Sequence, residues 1–315
     1  MQRSFITLSL ALALLSGCKQ QSSKMQIAVI PKGTTHEFWK AVDAGAQQAG
    51  KDLNVDIIWK GPLKEDDRSA QIDVVQQFVG DKVAGIVLAP LDRQALLDPV
   101  RLAGSQKVPV VIIDSSLDGE AGKDFVSFVA TDNDKGGELA GEELARILNN
   151  KGKVVLMRYQ AGSASTEARE KGFLDAIHKH SDIQVISDNQ ESGATVDSAK
   201  AKAMNMLDKF KECDGLFCPN ESSTVGVLSA LQTAGITGKK FIGFDASPQM
   251  VDALKSKELD ALVVQNPFQM GYLGVKTMVE HVKGQTVQQR IDTGVQLVTR
   301  DNLNAPEVQK LLETH

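Results

Sequence analysis

Cysteine, aromatic residues and long apolar runs are all scarce in this chain. Only three cysteines occur in 315 residues, so a disulfide-stapled framework is excluded. Two of the three, Cys213 and Cys218, flank a strand-like apolar stretch. Five extended steps span about 16 Å, whereas a disulfide needs Cα atoms within about 7 Å. Both therefore read as buried thiols, and neither has zinc-ligand spacing with a histidine. No segment beyond the N-terminus has the roughly 18 consecutive apolar residues that a membrane span requires. Basic charge is not in excess either: the formal net charge is -5, which argues against a nucleic-acid partner. The signatures of common catalysts are absent. His36-Glu37 has no second histidine at the helical repeat, and there is no G-x-S-x-G elbow, Walker loop or G-x-G-x-x-G after the first strand. No catalytic residue, metal or cofactor is expected, and the chain does not read as an enzyme.

The N-terminus carries a different kind of signal. Arg3 precedes the apolar stretch 5–15, which ends in Leu15-Ser16-Gly17-Cys18. This pattern reads as a secretory signal peptide over residues 1–17, and its ending resembles the bacterial lipobox, in which the cysteine becomes the lipidated first residue. Cys18 is then the anchor, residues 18–24 a polar tether, and the expected location is the periplasm or cell envelope, held at a membrane without spanning it.

From Gln26 onward short apolar runs alternate with amphipathic stretches. Strands are expected at 27–30, 55–59, 85–89 and 108–113, with helices at 37–50 and 66–80 and another before the fourth strand. After a break at Thr131-Asp132-Asn133 the alternation restarts. Strands fall at 153–157, 183–187, 215–218, 240–244 and 261–264, with helices at 165–178, 196–210 and 222–234, the last closed by Gly235. A helix at 267–282, a strand at 294–298 and a short helix end the chain. Runs this continuously apolar suit strands covered on both faces by helices, as in parallel sheets. The fold class is α/β, with two similar βα lobes in tandem.

Polar residues follow many of these strands: Pro31-Lys32, Pro90-Leu91-Asp92, Asp114-Ser115, Pro219-Asn220-Glu221, Asp245, and Gln265-Asn266. In an open parallel sheet the carboxyl ends of the strands share one edge, and ligands bind there. Groups from both lobes thus converge on one cleft. Trp39 lies off the apolar stripe of its helix, which points it at the cleft, whereas Phe38 lies on the stripe and fits core packing equally well.

These segments resemble the ribose-binding-protein group of type I periplasmic solute-binding proteins from Lys24 to about Val298. The stretches that carry the resemblance are 28–39, 109–114, 130–133, 169–173, 217–220, 243–245 and 264–267. The resemblance implies two Rossmann-like lobes with parallel sheets joined by crossing hinge strands, residues 25–131 plus 266–294 forming one lobe and 132–265 plus 295–315 the other. It implies a monomer that captures a small polar ligand, a monosaccharide or related polyol, for an ABC permease of the inner membrane. Presentation of the ligand to a periplasmic chemoreceptor or sensor kinase is the alternative. Lys32, His36, Phe38 and Trp39 fall where the family places first-lobe contacts. Asp114 matches the sugar-hydroxyl acceptor and Ser115 follows it. Asn220, Asp245 and Gln265 match contacts from the second lobe and the hinge. Ribose binders carry arginine where this chain has Ser115 and Glu167, and small neutral groups where it has Lys32 and His36. The cleft then sets Asp114, Glu167 and Asp245 against Lys32 and His36, a mixture open to a hexose, a polyol, or an amino- or acid-bearing sugar.

Overall fold

The computed structural model describes residues 24–313; Cys18 and the segment read as a signal peptide lie outside them. The chain runs β1 (Gln26–Ile30), α1 (Glu37–Leu53), β2 (Asp56–Trp59), α2 (Arg68–Gly80), β3 (Gly85–Leu88), α3 (Leu97–Ser105), β4 (Val110–Ile113) and β5 (Ser127–Ala130). It continues through α4 (Asn133–Ile147), β6 (Gly152–Arg158), α5 (Ala164–Ile177), β7 (Ile183–Glu191), α6 (Val196–Met204), α7 (Leu207–Glu212), β8 (Gly215–Phe217) and α8 (Glu221–Ala234). The last part comprises β9 (Lys240–Phe244), α9 (Pro248–Lys255), β10 (Ala261–Gln265), α10 (Pro267–Val282), β11 (Arg290–Asp292), β12 (Val295–Thr299) and α11 (Pro306–Leu312).

The strands form two six-stranded sheets, ordered β11-β5-β4-β3-β1-β2 and β12-β10-β9-β8-β6-β7. The first is parallel throughout, and the second is parallel except for β12, which runs antiparallel to β10. Strand periodicity explains why the middles of the inner strands are apolar on both faces. In β1, Ile27 and Val29 join one core cluster while Ala28 and Ile30 join the other. In β6, Val155 and Met157 face one cluster, and Val154 and Leu156 the opposite one. Successive side chains point to opposite faces, so in a sheet covered on both sides the middle of a strand is apolar on both faces.

Four elements fall outside the expected set: β5, α4, α9 and β11. β5 is only four residues long, and β11 is a polar edge strand whose ends are exposed. Helix α4 contains Gly136, Gly137 and Gly141, each a poor helix former. The glycines answer to packing. A Cβ on Gly137 would sit 2.0 Å from the Arg169 carbonyl oxygen, so only glycine lets α4 and α5 approach this closely. The helix expected at 196–210 is two helices: Asn205 and Met206 tighten into three-residue hydrogen bonds to Lys202 and Ala203, ending α6 before α7 begins. Cys213 and Cys218 are buried free thiols.

Although it follows the strands of the second sheet in sequence, α10 packs on the first: a Cβ on Gly271 would meet the Val42 carbonyl of α1 at 2.0 Å. The chain therefore passes between the lobes near Thr131, Gln265 and Gly294, where the Thr131 hydroxyl donates to Gln265 Oε1 at 3.0 Å and lies 3.3 Å from the Gly294 carbonyl.

Candidate functional site

The carboxyl ends of β4 and β9 each deliver an aspartate in the same unusual conformation. Asp114 and Asp245 have φ of 60° and 78°, the left-handed region, where aspartate is better tolerated than most residues. Each keeps its backbone N–H on the sheet, Asp114 donating to Val129 and Asp245 to Val263. The chain thus turns sharply while the carboxylate swings into the space between the lobes, and both residues are buried.

Around Asp114 the lobes meet directly. Lys32, which follows β1, places Nζ 2.9 Å from Asp114 Oδ2. The same ammonium donates to the hydroxyls of Ser165 (3.0 Å) and Ser163 (3.3 Å) at the start of α5. Three protons thus meet three acceptors. Around Asp245, Gln265 Nε2 donates to Oδ1 at 2.7 Å and the Glu221 backbone N–H to Oδ2 at 2.9 Å. Gln265 Oε1 in turn accepts from Arg169 (3.2 Å). Arg169 also donates to Asn133 Oδ1 and the Pro219 carbonyl, and its guanidinium lies over the Phe244 ring.

A third cluster centres on Glu65, in the loop after β2. Its carboxylate accepts from Trp39 Nε1 (2.6 Å) and Tyr159 Oη (2.8 Å) and pairs with His36 Nδ1 at 2.6 Å. Burial alone would lower the His36 pKa, but the adjacent Glu65 carboxylate outweighs it and raises the imidazole to about 9. Burial alone would raise Glu65, and His36 overrides it, bringing the carboxyl down to about 2. At neutral pH this is an imidazolium–carboxylate pair.

Eight of the expected residues line one cavity: Lys32, His36, Phe38, Trp39, Asp114, Asn220, Asp245 and Gln265. Phe38 and Trp39 also belong to a first-lobe core cluster and meet edge to face. Ser115 and Glu167 are not among the lining residues. Ser115 is completely buried and its hydroxyl accepts from the Ser165 N–H. Glu167 accepts from the Gly162 N–H and pairs with Arg93 at 3.5 Å, where its side chain is 37% exposed. The lining also includes Glu221, one of the polar groups expected at the strand ends, and Glu65, Tyr159, Ser165, Thr166 and Arg169, which sequence reasoning did not select. Tyr159 directly follows β6, so the strand-end rule applied to that strand would have reached it, whereas Glu65 lies six residues beyond the end of β2.

The side chains meet so closely that the cavity measures about 30 Å³, whereas small-molecule sites run to about 300–1,000 Å³. The lobes stand closed, and a ring-sized solute enters only when they part. Larger hollows of about 470 and 710 Å³ lie by α8–α9 and at the opposite edge of the first sheet, but neither gathers buried charges from both lobes. Among the described residues no His/Cys/Asp/Glu cluster could hold a metal ion, and no helix is long and apolar enough to cross a membrane.

Two α/β lobes, chain crossings between them and a polar cleft at facing strand ends define a two-lobed solute-binding protein. Residues 27–286 match the periplasmic binding protein domain, and the chain belongs to that family. A D-ribose/D-allose-binding protein of Pseudomonas aeruginosa is 29% identical over 88% of this chain and 89% of its own. Among solved structures, a carbohydrate transporter solute-binding protein from Agrobacterium radiobacter in complex with D-arabinose is 34% identical. It covers 92% of this chain and 99% of its own with a TM-score of 0.88. An ABC transporter solute-binding protein from Agrobacterium vitis with bound D-fucose is 36% identical over 91% and 99%, with a TM-score of 0.86.

Proposed function

We propose that the protein captures an uncharged monosaccharide or polyol in the periplasm and delivers it, without chemical change, to the permease of an ABC importer. Relatives named for ribose, allose, arabinose and fucose support the sugar class. The observation that selects a neutral ligand is the charge pairing inside the cleft. Lys32 faces Asp114, His36 faces Glu65, and Arg169 reaches Asp245 through Gln265. The remaining carboxylate, Glu221, receives two N–H groups from the start of α1. A uronic acid would bring a buried charge with no counter-charge waiting for it, a cost of several kcal/mol, and an amino sugar would find only Glu221, whose two oxygens are already taken by backbone N–H groups. Hydroxyls, which donate and accept, suit a wall that offers both carboxylates and ammonium donors.

Calorimetry against D-ribose, D-allose, D-arabinose, D-fucose and myo-inositol, with glucuronate and glucosamine alongside, is expected to give binding only in the neutral set. Tight binding of glucuronate would overturn the charge argument.

Anchoring belongs to the same proposal and rests on Leu15-Ser16-Gly17-Cys18, outside the described residues. Cys18→Ser is expected to move the protein from the membrane fraction to the soluble fraction. Identical fractionation of the two forms would remove the anchor.

A further inference from the structure

Helices α1 and α5 hold matching places in the two lobes. Each follows the strand that starts its lobe's run, β1 or β6, and each begins at the cleft. Neither carries its own cap. His36, at the N-cap of α1, makes no side-chain capping bond. Ser163, at the N-cap of α5, makes none either, its hydroxyl accepting from Lys32 instead. Helices α2, α4, α6, α8 and α10, by contrast, are capped locally by Asp67, Asp132, Thr195, Asn220 and Asn266.

The missing acceptors come from across the cleft. Glu221, the first residue of α8 on the second sheet, accepts the Glu37 N–H on Oε1 (3.2 Å) and the Phe38 N–H on Oε2 (3.1 Å). Ser115, which follows β4 on the first sheet, accepts the Ser165 N–H on Oγ at 3.1 Å. We infer that the two lobes exchange helix caps, so that Glu221 and Ser115 are positioning residues which stabilise the closed form independently of any sugar. The first turn of a helix has N–H groups with no partner inside the helix, and a carboxylate there gains from both hydrogen bonding and the helix dipole. Parting the lobes strips α1 and α5 of these acceptors together. The caps thus couple two helices that make no local contact in sequence, and their loss on opening is a cost that the protein itself carries. The same geometry explains why Ser115 and Glu221 are buried yet divided in role: Ser115 is absent from the cavity lining, and Glu221 spends both carboxylate oxygens on backbone.

Amide hydrogen exchange on the sugar-free protein tests this, because it reads the donor groups one by one. In the wild type the Phe38 and Ser165 amides are expected to be protected. Glu221→Ala is expected to speed exchange at Glu37 and Phe38 by about three- to tenfold, the range for a lost cap, and to speed Ser165 as well. Ser115→Ala is expected to do the reverse, speeding Ser165 and also Phe38, while Ser115→Thr, which keeps the hydroxyl, restores both. Cross-lobe acceleration is the signature that a purely local cap would not produce. Unprotected Phe38 and Ser165 amides in the wild type, or variants that each affect only their own helix, would overturn the inference. Failure to find a binding sugar would bear on the proposed function alone, since no sugar enters this measurement.

Discussion

Glu65→Leu is expected to destabilise the folded protein by about 3–5 kcal/mol, the usual cost of breaking a buried ion pair by removing one partner. The residue is almost fully buried and serves three donors: His36, Trp39 and Tyr159. Leucine fills much of the volume but leaves the indole and phenol protons without an acceptor. His36, relieved of its carboxylate, also loses the interaction that overcomes its burial. The effect carries a pH signature. The folded His36 pKa of about 9 stands above the ordinary 6.5, so this stabilisation is complete below pH 6.5 and is lost as pH rises through 9. Glu65, at about 2, stands below the ordinary 4.5, so stabilisation is complete above pH 4.5 and is lost as pH falls through 2. The two describe one ion pair, and its contribution is greatest between pH 4.5 and 6.5. Urea denaturation at pH 5.5 and 9.5 should therefore show the wild type losing stability over an interval in which the leucine variant changes much less. A leucine variant within about 1 kcal/mol of wild type at pH 5.5 would contradict the assignment, since surface changes cover that range.

Unbroken apolar runs such as 27–30 and 110–113 pointed to sheets covered on both faces, and the sheets have that form. Asp114 and Asp245 were legible because each directly follows such a run, where a parallel sheet delivers its side chains to the cleft. Glu65 was not, because β2 ends at Trp59 and the carboxylate arrives six residues later, around a loop. Helix α4 was hidden by the glycines that let it pack on α5. The exchanged caps lay beyond any local pattern. Glu221 meets Phe38 across 183 residues and Ser115 meets Ser165 across 50, so both contacts depend on how the lobes face each other. Ser115 and Glu167 show the limit of positional likeness: changing the residue type at a position can move its side chain to a different neighbour.

Asp114→Asn is expected to weaken binding of the tightest neutral sugar in the panel by about 100-fold. A hydrogen bond to a charged group contributes about 1.5–3 kcal/mol, and each 1.4 kcal/mol is tenfold in affinity. Asparagine is the informative substitution because, like aspartate, it tolerates the left-handed backbone at φ 60°. Alanine there would add backbone strain to the loss of charge. Two effects combine in the asparagine variant: the sugar loses its anionic acceptor, and Lys32, only 4% exposed, keeps a buried charge with two serine hydroxyls but no carboxylate. A double-mutant cycle separates them. Lys32 already spends its three protons on Asp114, Ser163 and Ser165 in the closed form, so it holds Asp114 rather than recognising the sugar. Asp114→Asn combined with Lys32→Met should therefore recover part of the lost stability, because the unpaired cation is gone, while sugar affinity stays low. If the double variant regained wild-type affinity, the defect would lie in the stranded lysine rather than in the missing acceptor. An asparagine variant that binds within about threefold of wild type would remove the Asp114 charge from recognition altogether, since the charge-assisted bond would then contribute well under the ~1.5 kcal/mol expected of it.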